Sequence, residues 1–325
     1  MTTVRSAAEL LAAEIRDQGP IPFSRFMETA LYHPEHGYYR SPRDPFGTAG
    51  DFYTASQLQP VFGRLIAAVM HQRRAELGDP ERFIIVEWGA GRGELAEHLT
   101  AFHHYALDVG RGSAPPRFEG VVFSNELFDA LPVDVVRIQD GVASLMLVGR
   151  QDGGFVWTPG PPVPEEWHAY IERVRAIFPP GEELWIELPV RLRDTLAAMA
   201  APLERGFIIT IDYGYTEPEL IRFPRGTLMS YRRHRAVEDV LRDPGEQDIT
   251  AHVPFTHLEA CAASLGLVSS PLITLTRFLM EAGEPDQFAS ALAAADEHEA
   301  LRLRLQLKSL LFGMGETFRC IAFRK

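Results

Sequence analysis

Phe83-Ile84-Ile85-Val86-Glu87-Trp88-Gly89-Ala90-Gly91-Arg92-Gly93 is the stretch that decides how this chain folds. Four consecutive apolar residues, entered after Gly78-Asp79-Pro80, form the short run expected of a strand buried on both faces, and such strands belong to parallel sheets. Three glycines at alternate positions follow at once, and Leu95, Ala96 and Leu99 after them fall at helical spacing. A strand, a tight turn and a helix are therefore predicted, the context in which a glycine-rich string becomes a ligand site. Glycine permits positive φ and lets a ligand reach the backbone with no Cβ in the way.

Working outward, Val121-Val122-Phe123, Leu184-Trp185-Ile186 and Phe207-Ile208-Ile209-Thr210-Ile211 are further buried runs, with helical patterns at 165–178 and 190–201 between them. The alternation predicts an α/β fold with a doubly wound, mostly parallel sheet, whose ligand crevice lies at the carboxyl ends of the strands. Before it come helices over Val4 to Arg16, Ser24 to Leu31 and Gln59 to Leu77, and a long loop at 32–57 heavily loaded with aromatics. The region from 133 to 160 has hairpin turns at Asp140-Gly141 and Asp152-Gly153-Gly154. Thr256-His257-Leu258-Glu259 reads as a capping box opening a helix to Leu265, and two more helices and a strand over Phe318 to Phe323 complete the chain. The organisation expected is an N-terminal segment of helices and aromatic loop at 1–80 and a core at 81–325, with insertions near 133–181 and 215–256.

Composition narrows the function classes. The 325 residues carry a formal net charge of -12, which argues against a surface built to neutralise phosphates and favours a basic protein partner. The one basic cluster, Tyr231 to Arg235, reads as a solvated or carboxylate-pairing loop. Cys261 and Cys320, far apart in sequence, make no disulfide framework or zinc spacing and are expected to be reduced core thiols; no metal is predicted. No apolar stretch reaches the roughly 20 residues that cross a bilayer, so membrane insertion is not expected. Glu9, Glu14 and Asp17 near the N-terminus suit a folded helix better than a signal or transit peptide, and a cytoplasmic location is expected.

The glycine turn also selects a ligand. A dinucleotide fingerprint would want glycine at 94, where this chain has Glu94, and Glu87 at the strand tip would repel a pyrophosphate. S-adenosylmethionine has no phosphate; it carries a sulfonium and an ammonium, and the ammonium is a good partner for a strand-end carboxylate. Glu87, Gly89, Gly91 and Gly93 are the expected cofactor contacts, against the alternative of a turn with only a structural purpose. At the next strand tip, Asn125-Glu126-Leu127-Phe128-Asp129 offers Asn125 to the cofactor and two acids, Glu126 and Asp129, to the chemistry. A helix N-terminus, where carboxylates meet the dipole favourably, explains those acids equally well. Ile211-Asp212-Tyr213 forms a third tip and reads as a site wall.

Several strings together resemble the MidA-type methyltransferases, a family that includes a mitochondrial complex I assembly factor which methylates an arginine of the 49-kDa subunit. They are Leu31-Tyr32-His33-Pro34 with Gly37-Tyr38-Tyr39, Gly50-Asp51-Phe52-Tyr53-Thr54, Glu87 to Gly93, Asn125 to Pro132, Ile211 to Gly214, Gly226-Thr227-Leu228, Gly245 to Val253, and Gly313 to Glu316. The resemblance implies a class I, Rossmann-like core with an inserted subdomain that uses S-adenosylmethionine to methylate a protein arginine. It makes a respiratory NADH dehydrogenase subunit the natural partner. Relatives usually place a strand ending in an acid, a helix and another strand between the turn's helix and the Asn125 string. Here only Tyr105 to Asp108 and the Gly/Pro-rich 110–116 intervene, leaving Asp108 for the ribose hydroxyls and a thinner adenine pocket.

Methyl transfer is an in-line displacement, so positioning and water exclusion dominate. A carboxylate pair can grip a guanidinium and draw its charge onto two nitrogens, freeing the third to attack. That role falls to Glu126 and Asp129, with Glu246 or Asp248 as a second acidic wall. Tyr53 joins the cofactor contacts, and Phe52, Asp212, Tyr213 and His252 the acceptor pocket, the aromatics being equally compatible with plain core. Two other functions stay open: a non-catalytic assembly factor keeping the fold, and a methyltransferase for a small molecule.

Overall fold

The structure is a computed structural model that describes residues 6–40, 59–232, 235–237 and 239–325. Phe52 and Tyr53, and the side chains of 231–238, lie outside the described residues. The chain divides into two compact units. The first comprises Met1–Phe52, Asp129–Leu192 and Tyr215–Thr256, the second Tyr53–Phe128, Arg193–Gly214 and His257–Lys325. Residue 80, the boundary read from sequence, falls inside the second unit, while both expected insertions fall inside the first.

The second unit holds the parallel sheet. Strands at Ile84–Trp88, His103–Leu107, Phe118–Asn125 and Leu203–Tyr215 pair in parallel, in spatial order 203–215, 118–125, 84–88, 103–107. Phe318–Arg324 closes the far side, antiparallel to Leu203–Tyr215. The central strands are apolar in their middle residues because helices cover the sheet. Ile85, Val121, Phe123 and Ile209 meet Phe62, Ile66 and Val69 of the Val61–Glu76 helix and Leu275 and Leu279 of Leu275–Gly283 in one core. Cys320 belongs to that core, and Cys261 is buried as well.

One expectation is corrected here. Glycine 93 is followed by a single 3-10 turn, Glu94–His98, rather than a full helix. The segment left before the His103 strand is too short for more, and one turn already buries Leu95 and Leu99. The acid-tipped neighbour, by contrast, is present: His103–Leu107 is the edge strand, and Asp108 follows it directly.

In the first unit the sheet is antiparallel, ordered Ile21–Pro22, Val142–Gln151, Asp134–Gln139, Leu184–Leu188, with Gly154–Pro162 paired to Val142–Gln151. Leu184–Leu188 thus belongs to this sheet and not to the parallel one. A short buried run such as Leu184-Trp185-Ile186 looks the same in either, and only the pairing partner distinguishes them. Helices Ala7–Gln18 and Phe23–Tyr32 pack Leu11, Phe23, Phe26 and Met27 against Val135, Met146 and Val148. Thr256 does not cap its helix as expected. That helix starts at Phe255, and the Thr256 hydroxyl accepts from the Glu217 N–H at 3.0 Å.

Candidate active site

The glycine turn leaves the Ile84–Trp88 strand between its two parallel neighbours. Gly89, Gly91 and Gly93 have φ of 73, 53 and 81°, values that penalise any residue with a Cβ. The Ala90 N–H donates to Leu107 O at 2.9 Å and the Gly93 N–H to Ala90 O at 2.7 Å, tying the turn to the adjacent strand tip. A Cβ at Gly89 would also stand 3.2 Å from Leu127.

Glu87 is buried, and its Oε2 lies 2.9 Å from Nε2 of His104. The register pairs Ile85 with His104 and Glu87 with Ala106, which puts both side chains on one face of the sheet. Burial raises the Glu87 carboxyl above the usual carboxylate range; His104 opposes the shift, and Glu94 and Asp108 add to it. Asp108 forms a tight turn with Arg111, each N–H donating to the other's carbonyl at 2.9 Å. The Arg111 guanidinium donates to the Gly91 carbonyl and lies 3.5 Å from the Asp108 carboxylate. His104 and Arg111 were not singled out from sequence. The available signals were a histidine in the neighbouring strand and a cation three residues beyond the expected ribose acid.

The next strand ends in a strained turn. Glu126 has φ of 53°, its N–H donates to Ile211 O at 2.9 Å, and its Oε1 accepts from Asn125 Nδ2 at 2.9 Å. Asp212 is completely buried. Its Oδ2 accepts from the N–H groups of Leu127 and Phe128 at 3.1 and 2.8 Å, and its Oδ1 from the N–H of Tyr213 at 2.9 Å. Burial pushes the Asp212 carboxyl up to about 7, the backbone bonds pull against it, and the charge of Glu126 adds to it. Tyr213 is half-buried, edge-on to Phe318 with centroids 5.6 Å apart.

The remaining expected residues belong to the first unit. Asp129 is buried, and its carbonyl accepts from the Ala251 N–H at 2.9 Å. Asp248 is buried and its Oδ1 accepts from the Tyr39 hydroxyl at 2.8 Å and from the Ile249 N–H at 3.0 Å. Burial, then the nearby charges of Asp248, Tyr32 and Asp129, hold the Tyr39 hydroxyl well above the usual phenol range. Glu246 is exposed. His252 is half-buried and edge-on to Phe223; burial first, then Arg222, pushes its imidazole down to about 4. Glu187, not foreseen, is a buried acid whose Oε1 accepts from the N–H groups of Thr227 and Leu228 at 2.7 and 3.1 Å, a contact in which two residues of the Gly226-Thr227-Leu228 string take part.

Two buried polar atoms next to the glycine turn, Trp88 Nε1 and Asn125 Oδ1, have no hydrogen-bond partner among the described residues. Such groups cost about 1–3 kcal/mol each unless something satisfies them. Left-handed glycines, a buried carboxylate and an orphaned donor and acceptor at adjacent strand tips fit a ligand that presents an ammonium, hydroxyls and ring nitrogens, as S-adenosylmethionine does.

Sheet order and turn define a class I S-adenosylmethionine-dependent methyltransferase. Residues 104–272 match the model of a family described as S-adenosyl-L-methionine-dependent methyltransferases, and the chain belongs to that family. It is 33% identical to the protein of Bos taurus named protein arginine methyltransferase NDUFAF7, mitochondrial, covering 98% of this chain and 83% of that relative. The Drosophila melanogaster homologue of the same name is 25% identical, with 98% and 84% covered. Among solved structures, a candidate methyl transferase from Burkholderia thailandensis, bound to S-adenosyl-homocysteine, superposes with a TM-score of 0.88 at 31% identity, covering 98% of this chain and 92% of that one.

These relatives also correct the expected cytoplasmic location. The fly, zebrafish and bovine relatives are named mitochondrial, against that expectation. The acids of the Ala7–Gln18 helix describe a folded helix, and a folded helix carries no address. Among the described residues no helix is long and apolar enough to cross a membrane.

Proposed function

We propose that this chain transfers a methyl group to an arginine side chain of a protein, with the 49-kDa-type subunit of respiratory NADH dehydrogenase as acceptor, acting in assembly of that complex. The observation that carries this reading is the pair of acids following the Phe118–Asn125 strand, Glu126 and Asp129, in a chain whose relatives are named protein arginine methyltransferases. The net charge of -12 favours a basic segment as the docking peptide.

When bound, the cofactor supplies a sulfonium methyl carbon as electrophile. Glu87 faces its ammonium, the glycine turn gives it backbone contact without Cβ atoms, and Asp108 accepts from ribose hydroxyls. Asn125 Oδ1, otherwise unsatisfied, is an acceptor for a ligand N–H or O–H. Glu126 pairs with the acceptor guanidinium, draws positive charge onto the nitrogens it contacts and leaves the third nitrogen's lone pair to attack. Transfer would form the N–C bond and release S-adenosylhomocysteine, and the surplus proton would pass from the nitrogen to the Glu126 carboxylate. Tyr213 is assigned to the wall of the site.

The test is incubation with S-adenosylmethionine labelled on its methyl group and the recombinant 49-kDa-type subunit, followed by acid hydrolysis and separation of the amino acids. Label in methylarginine is expected, and Glu126→Gln should remove most of it while cofactor binding persists. Label confined to another residue type, or none in the subunit, overturns the proposed acceptor.

A further inference from the structure

The tip of the Phe118–Asn125 strand is held by an acid of the neighbouring strand. Glu126 sits in a left-handed conformation unfavourable to any side chain, with its N–H on Ile211 O. The two N–H groups that follow, Leu127 and Phe128, converge on one oxygen of Asp212, and the other oxygen is taken by the Tyr213 N–H. A completely buried carboxylate is costly to desolvate. Backbone N–H groups of a fixed turn are among the few partners that make it tolerable, and charge-assisted bonds of this kind are the stronger ones.

We propose that Asp212 is a positioning residue: by clamping Leu127 and Phe128 it locks the turn at Glu126 and fixes where the Glu126 carboxylate meets the acceptor. The inference rests on the reading of Glu126 given above. Glu126 is then held at three points: its own N–H on Ile211 O, Asn125 Nδ2 on its carboxylate, and Asp212 on the backbone after it. Without the clamp the left-handed residue is expected to relax and its carboxylate to lose the fixed position that an oriented displacement requires. Asparagine at 212 keeps one oxygen acceptor but turns an NH2 group toward a backbone N–H, so it weakens the clamp without changing volume.

The experiment compares Asp212→Asn, Glu126→Gln and the double variant, using labelled methyl transfer to the 49-kDa-type subunit, S-adenosyl-homocysteine affinity by calorimetry, and amide exchange at Leu127 and Phe128. Asp212→Asn is expected to lower kcat about 30-fold, a cost typical of losing an oriented catalytic contact, and to change cofactor affinity less than about threefold. Exchange at the two amides should rise, and the double variant should be no slower than Glu126→Gln alone. Wild-type turnover, or unchanged exchange, in Asp212→Asn overturns the clamp and leaves the Glu126 reading standing. Wild-type turnover in Glu126→Gln overturns that reading instead; a loss from Asp212→Asn that then persists in the double variant assigns Asp212 to the fold alone and overturns the proposal too. If the subunit accepts no methyl group, the exchange measurement still decides whether Asp212 holds the turn.

Discussion

Glu87 and Asp212 are both buried acids at the carboxyl ends of parallel strands in the same unit, yet they are held in different ways. Glu87 faces one titratable ring, His104, at 2.9 Å, with further acids nearby. Asp212 faces three backbone N–H groups. A histidine can lose its proton or yield to a better cation; a backbone amide can do neither. One acid is therefore open to exchange its partner for a ligand's ammonium, while the other is committed to the chain. Residue type and strand position are alike, so the difference comes from what the neighbouring strands offer.

The largest effect expected is at the turn beside Glu87. Gly91→Val places a β-branched residue at φ of 53° and should lower S-adenosyl-homocysteine affinity by about 100-fold or more in calorimetry. Undiminished binding would remove Glu87 and its turn from the cofactor site and dissolve the contrast with Asp212.

Next is the committed acid itself. Asp212→Ala leaves three N–H groups without their acceptor and should cost about 3 kcal/mol in urea unfolding, against about 1 for Glu87→Ala. Equal losses would show that the two acids are held alike.

The pH dependence of stability follows from the same carboxylate. Its folded value of about 7 lies above the ordinary 3.9 of the unfolded chain, so between those values the folded protein binds the extra proton, and stability falls as pH rises from about 4 to 7. A loss of about 2 kcal/mol across that window is expected, well under the ceiling of about 4 set by the full shift. Asp212→Asn should flatten it. His252, whose imidazole is pushed down to about 4, acts in the opposite direction: its contribution is lost as pH falls from about 6.5 toward 4. Urea midpoints measured across the range in single variants separate the two; a slope unchanged in Asp212→Asn removes that carboxylate as its source.

The smallest effect sharpens the contrast most. Glu87→Gln keeps the shape but removes the charge and should weaken S-adenosyl-homocysteine binding about tenfold, near 1.4 kcal/mol, whereas Asp212→Asn changes it little. Reversal of that order in calorimetry would place the ligand's ammonium elsewhere.

Much of the fold was readable because it rests on local pattern. The runs at 83–86, 121–123 and 207–209 are apolar because they are buried on both faces, and glycines 89, 91 and 93 take positive φ. The sheet to which Leu184–Leu188 belongs was not readable, since a short buried run carries no label for its partner. The helix expected after Gly93 shrank to one 3-10 turn because the distance to the next strand, not the spacing of Leu95 and Leu99, sets its length. In the candidate site, Glu126 and Asp212 stood out as polar residues at strand tips, but nothing in their order says that one carboxylate clamps the turn bearing the other. His104 and Arg111 were invisible for the same reason: their partners, Glu87 and Gly91, lie 17 and 20 residues away.

By itself, then, the sequence determined the class of fold, the place of the glycine turn, the cofactor that suits an acid before it, and the family. Those depend on residues adjacent in the chain, where periodicity and backbone freedom act directly. Only the tertiary structure decided which acids are free and which are bound. Whether a buried carboxylate meets an imidazole, a hydroxyl or a row of amides depends on the register between strands distant in sequence, and that register is set by packing of the whole core.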